Sequence, residues 1–183
     1  MQEFISHITN TTSVLNQVLR LLIWIIIIAS FVFAIVLNNR LLVLLAVGLL
    51  GIEVVIQGVK LGVKEVFGIN SITKRPKGAK DCGAFIDCDK KDATSMGMPS
   101  GHSMSMAFFA TFVLLATNPD QFQNYIIVIL ALTVMSQRWW VGCHSLLQIF
   151  IGGGIGILLG WGYYELVKRW LKDGKYTKLV DKW

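Results

Sequence analysis

Residues 19–37 read LRLLIWIIIIASFVFAIVL, an apolar run whose single charge is Arg20. A helix of this length covers about 28 Å at 1.5 Å per residue, which matches the ~30 Å hydrocarbon core of a bilayer. Four more apolar runs follow, and their predicted spans are residues 41–67, 102–117, 123–138 and 145–167. The sequence therefore predicts an all-α fold, a polytopic membrane helix bundle with about five transmembrane helices.

The composition indicates a single membrane-embedded domain, residues 1–183. Hydrophobic residues make up 54% of the chain and charged residues only 15%, which is too apolar for an ordinary soluble domain. The net charge of +6 comes from basic residues in a loop and a tail outside the predicted spans. We therefore expect the partner to be the lipid bilayer with its anionic head groups, and not a nucleic acid.

The segments outside the spans predict a topology. Residues 1–18 carry apolar side chains near helical spacing, which is typical of an interfacial helix, and an unstructured terminus is the alternative. Residues 68–98 form the one long extramembrane loop. The positive-inside tendency places the basic tail, residues 168–183, in the cytosol. Five spans then put the loop and the N-terminus on the non-cytosolic face, where the glycosylation pattern at Asn10 would matter.

The three cysteines are too few for a disulfide framework. Cys82 and Cys88 lie in the same polar loop, so they pair if that loop faces an oxidising lumen, and otherwise they are free thiols.

The last predicted span is rich in glycine, at residues 152–154, 156 and 160. No strand precedes this run, as a nucleotide-binding loop would require, so it predicts close packing between membrane helices.

The sequence Pro99-Ser100-Gly101-His102 stands at the start of the third predicted span. Ser100 is a suitable N-cap, and the free N–H groups of the first helical turn suit a phosphate. His102 can transfer a proton near neutral pH. The predicted topology brings further basic residues to the same membrane face, namely Arg75, Arg138 and His144. Two arginines and two histidines together predict a site for phosphoryl transfer.

These motifs resemble the type 2 phosphatidic acid phosphatase superfamily, whose pattern is Lys-x6-Arg-Pro, then Pro-Ser-Gly-His, then Ser-Arg-x5-His-x3-Asp. Arg75-Pro76 matches the end of the first part, and residues 99–102 match the second. Arg138 to His144 keeps the Arg-x5-His spacing of the third. By motif, the resemblance covers roughly residues 57–150. It implies an integral membrane lipid phosphatase or diphosphatase.

The resemblance also implies a role for each matching residue. His144 would be the nucleophile that becomes a phosphohistidine, and His102 would protonate the leaving group and then activate water. The implied phosphate-binding residues are Arg75, Arg138, Ser100 and Gly101. The resemblance implies no cofactor and no metal ion, which agrees with the lack of ligand spacing in the sequence.

The sequence departs from the family pattern at three positions. Gly68 stands where the lysine is expected, and Lys64, one helical turn earlier, is the predicted phosphate-binding replacement. Lys60 and Lys74 are poorer substitutes. Gln137 replaces the serine before the arginine. Gln148 replaces the aspartate that orients the nucleophile, and its carbonyl can accept the same hydrogen bond from His144 without supplying a charge. We expect phosphoryl transfer to be slower by about 10²–10⁴ and to recover in a Gln148→Asp variant.

The expected function is hydrolysis of a lipid phosphate or a lipid-linked diphosphate, such as phosphatidate or a polyprenyl diphosphate, at the non-cytosolic face. Gln148 and Gly68 favour an alternative, a degenerate homologue that binds phospholipid head groups without turnover. A small channel or structural membrane protein is a third alternative, but it leaves the arginines and histidines unexplained.

Overall fold

The computed structural model describes residues 14–79, 82–83, 95–117 and 122–173. These ranges contain no β-strand, and their five helices are α1 (Val14–Val36), α2 (Arg40–Phe67), α3 (Gly101–Ala116), α4 (Phe122–Trp140) and α5 (Leu146–Asp173). Each helix overlaps one predicted span. The predicted all-α class is therefore confirmed.

Three of the described helices, α1, α2 and α5, are long and apolar enough to cross a membrane. α3 is also apolar, but it has only 16 residues. These helices indicate a membrane protein, while the number of crossings and their direction stay predictions.

Several predicted features lie outside the described residues. They are Asn10, Cys88, the basic tail beyond residue 173 and residues 1–13 of the predicted interfacial segment. The last residues of that segment belong to α1, which begins at Val14.

The turn between α1 and α2 is fixed by an asparagine. Asn39 Oδ1 accepts hydrogen bonds from the amides of Leu41 at 2.9 Å and Leu42 at 3.4 Å, so Asn39 caps the start of α2. α2 ends at Gly68, whose φ of +66° lies in the left-handed region that favours glycine. Gly68, which stands where the family pattern has a lysine, thus has a structural role as a helix C-cap.

α3 is the central helix of the bundle. Its residues 103–110 are all buried, and it contacts each of the other four helices. Because the chain reverses direction at each connection, the starts of α1, α3 and α5 meet the ends of α2 and α4 at one end of the bundle. The described residues of the long loop, 68–79, 82–83 and 95–98, lie at this same end, as does the link between α4 and α5.

Three glycines of α5 bring its backbone against α3, as the sequence predicts. A Cβ atom at Gly152 would lie 2.6 Å from the carbonyl oxygen of Ser100, and one at Gly160 would lie 2.8 Å from that of Phe108. Between them, Gly156 faces the carbonyl of Met104. Side chains at these positions would force the helices apart, so the glycines set how closely α5 approaches the start of α3.

We expect Gly156→Ala to lower the free energy of unfolding by about 1–3 kcal/mol, because the added methyl group overpacks the α3–α5 contact. Gly154→Ala is the matched control, since a Cβ atom there has no neighbour within 4 Å. Thermal unfolding in detergent compares the two variants. An equal loss in both would contradict the packing role of Gly156.

Candidate active site

Ser100 directly precedes the first residue of α3, but its side chain does not cap the helix. Ser100 has the extended backbone angles of an N-cap, φ −69° and ψ 113°. Its Oγ accepts a hydrogen bond from Ser103 Oγ at 2.9 Å, and its amide donates to the carbonyl of Gln148 at 3.1 Å. Ser100 is fully buried. The predicted side-chain cap is therefore wrong, while phosphate binding by Ser100 stays a prediction.

His144 lies between an arginine and a side-chain amide. Arg75 Nη1 is 3.2 Å from His144 Nε2 and 3.3 Å from the carbonyl oxygen of Cys143. Arg75 Nε donates to Ser95 Oγ at 2.9 Å, which holds the guanidinium in place. On the other side of the ring, His144 Nδ1 is 3.2 Å from Gln148 Oε1. The structure thus brings together three residues that the sequence predicted to meet.

The hydrogen bonds of Gln148 fix the tautomer of His144. Gln148 Nε2 donates to the carbonyl oxygens of Ile72 at 2.8 Å and Lys74 at 2.7 Å. Only the nitrogen of an amide can donate, so Oε1 is the atom that faces His144 Nδ1. Since Oε1 only accepts, Nδ1 carries the ring proton. The lone pair of His144 is therefore on Nε2, on the side of Arg75.

His102 is anchored by helix α1. Its Nε2 lies 3.0 Å from the carbonyl oxygen of Arg20. Because a carbonyl oxygen only accepts, Nε2 carries a proton, and Nδ1 is the nitrogen that can exchange one. No side-chain motif could have predicted this contact, since it uses the backbone of Arg20.

A cavity of about 220 Å³ joins the two histidines. Its wall includes Arg75, Gly101, His102 and His144, four of the residues predicted for the site. The remaining wall residues come from α1, α2 and the loop, and they are Ile23, Trp24, Glu53, Ile56, Gln57, Lys60, Cys82 and Gly83. The concentration of basic groups in so small a space suits an anion.

The lysine of the cavity wall is Lys60, whereas the sequence predicts phosphate binding at Lys64. Lys64 is exposed and lies outside the cavity wall. Glu53, Ile56 and Lys60 follow one face of α2 at spacings of three and four residues, and Lys64 continues that face one turn beyond the cavity. This spacing could have identified Lys60 from the sequence, because it places Lys60 on the same helix face as Glu53, the acidic residue within the span.

Glu53 faces other helices, as expected for an acid within an apolar span. Its Oε1 accepts a hydrogen bond from Ser105 Oγ of α3 at 2.6 Å.

Arg138 lies behind the cavity wall, not in it. Its side chain is 1% exposed, with Nη2 donating to the carbonyl oxygen of Cys82 at 2.7 Å and Nη1 to Gln137 Oε1 at 3.2 Å. Gln137 Nε2 in turn donates to Asn16 Oδ1 of α1 at 3.2 Å. The glutamine that replaces the family serine thus links Arg138 to α1. In this structure Arg138 supports the cavity wall at Cys82, and its contact with phosphate stays a prediction.

Cys82 forms a disulfide with Cys143, 61 residues away in sequence. The predicted pairing of Cys82 with Cys88 is therefore wrong, and so is the free-thiol alternative for Cys82. Closeness in sequence was a poor guide, because the fold brings Cys82 to the link between α4 and α5. The bond places a wall residue of the cavity directly beside His144.

The electrostatic surroundings keep His144 neutral. Burial holds the pKa of His144 well below its usual value, and the positive charges of Arg75, Arg138 and Lys60, with His102, act in the same direction. Near pH 7 the ring is therefore uncharged, with its lone pair on Nε2. A neutral imidazole is the form that can act as a nucleophile.

A helical membrane bundle with two histidines, an arginine and a lysine around one small cavity is a class of protein suited to phosphate chemistry. The chain belongs to the PAP2 superfamily, because the family model of that description matches residues 40–172. Membership in this superfamily indicates phosphatase activity on phosphate esters. Comparisons with curated proteins and with solved structures find no match.

α1 lies before the matched residues 40–172, yet it completes the site. Its Arg20 carbonyl orients His102, and its Ile23 and Trp24 form part of the cavity wall. The candidate site therefore extends beyond the family match.

Proposed function

We propose that this protein hydrolyses a lipid phosphate or a lipid-linked diphosphate through a phosphohistidine at His144, without a metal ion. The observation that carries the proposal is the geometry of His144, with Nδ1 on Gln148 and Nε2 beside Arg75 at the cavity wall. A neutral nucleophile is thereby set next to a guanidinium that can bind phosphoryl oxygens.

The first chemical step uses both histidines. The lone pair of His144 Nε2 forms a bond to phosphorus, and the bond from phosphorus to the leaving oxygen breaks. His102, protonated at Nδ1, gives that proton to the leaving oxygen while its Nε2 stays on the carbonyl of Arg20. Arg75, Lys60 and the amide of Gly101 border the cavity and would stabilise charge on the phosphoryl oxygens.

The second step regenerates the enzyme. A water molecule attacks phosphorus, His102 Nδ1 takes a proton from it, and the bond from phosphorus to His144 Nε2 breaks. The products are inorganic phosphate and His144 in its starting form, and His102 is again protonated for the next cycle.

The cavity supports a lipid substrate. Its volume of about 220 Å³ is below the ~300–1,000 Å³ of pockets that enclose a whole drug-sized ligand. The cavity thus has room for a head group, and the hydrocarbon chain would stay in the bilayer. Ile23, Trp24 and Ile56 supply an apolar side to the wall.

Two features support a non-cytosolic site and a cytosolic C-terminus. Disulfides such as Cys82–Cys143 persist mainly in oxidising compartments, and this one adjoins the site. The far end of α5 carries Lys168 and Arg169, which the positive-inside tendency favours on the cytosolic side.

A second candidate function is binding of phospholipid head groups without turnover. Gln148 favours it, because an amide oxygen stabilises a charged His144 less than the carboxylate of the family pattern does.

Phosphate release separates these two functions. Detergent-purified protein is offered phosphatidate and a polyprenyl diphosphate in the presence of a chelator, and inorganic phosphate is measured. We expect wild type to exceed His144→Ala by at least about 100-fold on one of these lipids, because the variant lacks the attacking nitrogen.

The matched control is His7→Ala, which removes the third histidine of the chain, one that belongs to no motif of the family pattern, and should keep wild-type activity. If wild type releases no more phosphate than His144→Ala on either lipid, the enzymatic proposal fails. Saturable lipid binding under those conditions would then support the second function.

A further inference from the structure

We propose that Gln148 is a positioning residue that needs its amide, and that aspartate, the residue of the family pattern, cannot replace it here. This inference rests on the proposed function, since it concerns how the same site is assembled. It reverses the expectation from the sequence that a Gln148→Asp variant would recover activity.

Gln148 joins three separate segments of the site. Its side chain is 1% exposed, and Oε1 faces His144 Nδ1 and accepts from the amide of Ser145, both at 3.2 Å. Its Nε2 donates to two carbonyl oxygens of the loop, at 2.8 and 2.7 Å. Its own carbonyl accepts from the amide of Ser100 at the start of α3. One residue therefore sets the loop, the nucleophile and the helix of His102 in a fixed relation.

The bond to Lys74 positions Arg75 directly. The Lys74 carbonyl belongs to the peptide unit whose N–H is that of Arg75. Gln148 holds the oxygen of this unit at 2.7 Å, and the carbonyl of Ser95 accepts from its N–H at 3.1 Å. With both ends of the peptide bonded, the backbone of Arg75 cannot rotate. The amide of Gln148 thus fixes the distance between Arg75 and His144.

Because Gly97 has no side chain, the amide group of Gln148 can lie directly against it. A Cβ atom at Gly97 would lie 2.7 Å from Gln148 Oε1 and 3.0 Å from the backbone nitrogen of Arg75. A Gly97→Ala variant would therefore displace the amide without changing its chemistry.

A carboxylate cannot form the same set of bonds. Aspartate and glutamate accept hydrogen bonds but, when ionised, donate none. At position 148 either would place negative charge against the carbonyl oxygens of Ile72 and Lys74 and leave both without this donor. The aspartate side chain is also one methylene shorter, so it cannot reach both His144 and the loop.

The test compares kcat for phosphate release in Gln148→Asp, Gln148→Glu, Gln148→Met and Gly97→Ala. We expect Gln148→Asp and Gly97→Ala each to lower kcat by about 10- to 100-fold, as for loss of buried hydrogen bonds. Gln123→Asp, the same change at an exposed position of α4, should have no effect. A Gln148→Asp variant as fast as wild type, or faster, overturns the proposal.

The pH profile separates positioning from a general structural defect. The charged or titratable groups that act on His144 are Arg75 on the loop, Arg138 on α4, Lys60 on α2 and His102 on α3, and Glu53 of α2 lines the same cavity. A carboxylate at position 148 opposes them and raises the pKa of His144. The acidic limb of kcat/KM should therefore move to higher pH in Gln148→Glu but not in Gln148→Met. Equal pH profiles of kcat/KM in the two variants would contradict direct contact between the side chain at position 148 and the His144 ring.

A third measurement does not depend on turnover. Inorganic phosphate should raise the thermal unfolding temperature of wild type and not that of Gln148→Asp, because the displaced arginine no longer completes the anion site. Equal stabilisation of both proteins, or of neither, overturns the proposal. If neither wild type nor any Gln148 variant releases more phosphate than His144→Ala, the proposed hydrolysis fails. The thermal comparison with inorganic phosphate still decides the role of Gln148 in that case.

Discussion

Replacing Arg75 with alanine is expected to lower kcat/KM for phosphate release by about 10²–10⁴. Arg75 Nη1 lies 3.2 Å from His144 Nε2, so the guanidinium borders the position that phosphorus occupies during attack. A hydrogen bond to a charged group contributes about 1.5–3 kcal/mol, and a bidentate pair therefore about 3–6 kcal/mol. At about 1.4 kcal/mol per tenfold, these energies give the stated range.

Arg75→Lys should fall between wild type and Arg75→Ala, because it keeps the charge and loses the planar fork. The matched control is Lys77→Ala, which removes one positive charge from an exposed position of the same loop and should change kcat/KM by less than about twofold. An equal loss in Lys77→Ala and Arg75→Ala would show that the charge of the loop matters and the geometry of Arg75 does not.

Removal of the Cys82–Cys143 disulfide is expected to lower the free energy of unfolding by about 4 kcal/mol. The bond closes a loop with a sequence separation of 61 residues, between the ~15-residue and ~100-residue loops for which chain entropy gives about 3 and 4.7 kcal/mol. Activity should fall as well, since the Cys82 carbonyl accepts from Arg138 and Cys143 adjoins His144. Thermal unfolding and phosphate release of Cys82→Ser and Cys143→Ser measure both effects.

Cys88→Ser is the control for this experiment, because the chain has three cysteines and only this one lies outside the disulfide. It should retain wild-type stability. A loss in Cys82→Ser and Cys88→Ser that is absent in Cys143→Ser would instead indicate the Cys82–Cys88 pair.

The helices were predictable because membrane thickness limits the length of an apolar run. α2 was predicted at residues 41–67 and is observed at Arg40–Phe67, since Asn39 and Gly68 supply ordinary start and stop signals. The glycine face of α5 was predictable for a similar reason, as spacing by four places residues on one side of a helix.

The side-chain partners within the site were less predictable, because they depend on how distant segments meet. Lys64 is nearer than Lys60 to the spacing of the family pattern, but the cavity lies one helical turn deeper along α2. Cys143 was not recognised as the partner of Cys82, because no local signal joins positions 61 residues apart. The sequence predicts only part of the role of Gln148. Its acceptor oxygen follows from the family pattern, whereas its two donor bonds depend on where the loop carbonyls lie.

The contribution of α1 has a consequence for how this protein and its relatives can be compared. The residues that would perform the chemistry lie within the family match, whereas Ile23 and Trp24 of the cavity wall precede it. Catalytic identity and part of the shape of the cavity are thus encoded in different stretches of the chain. Two relatives with the same motifs can differ in which head groups they admit, and the difference would be found in a helix that motif comparison leaves out.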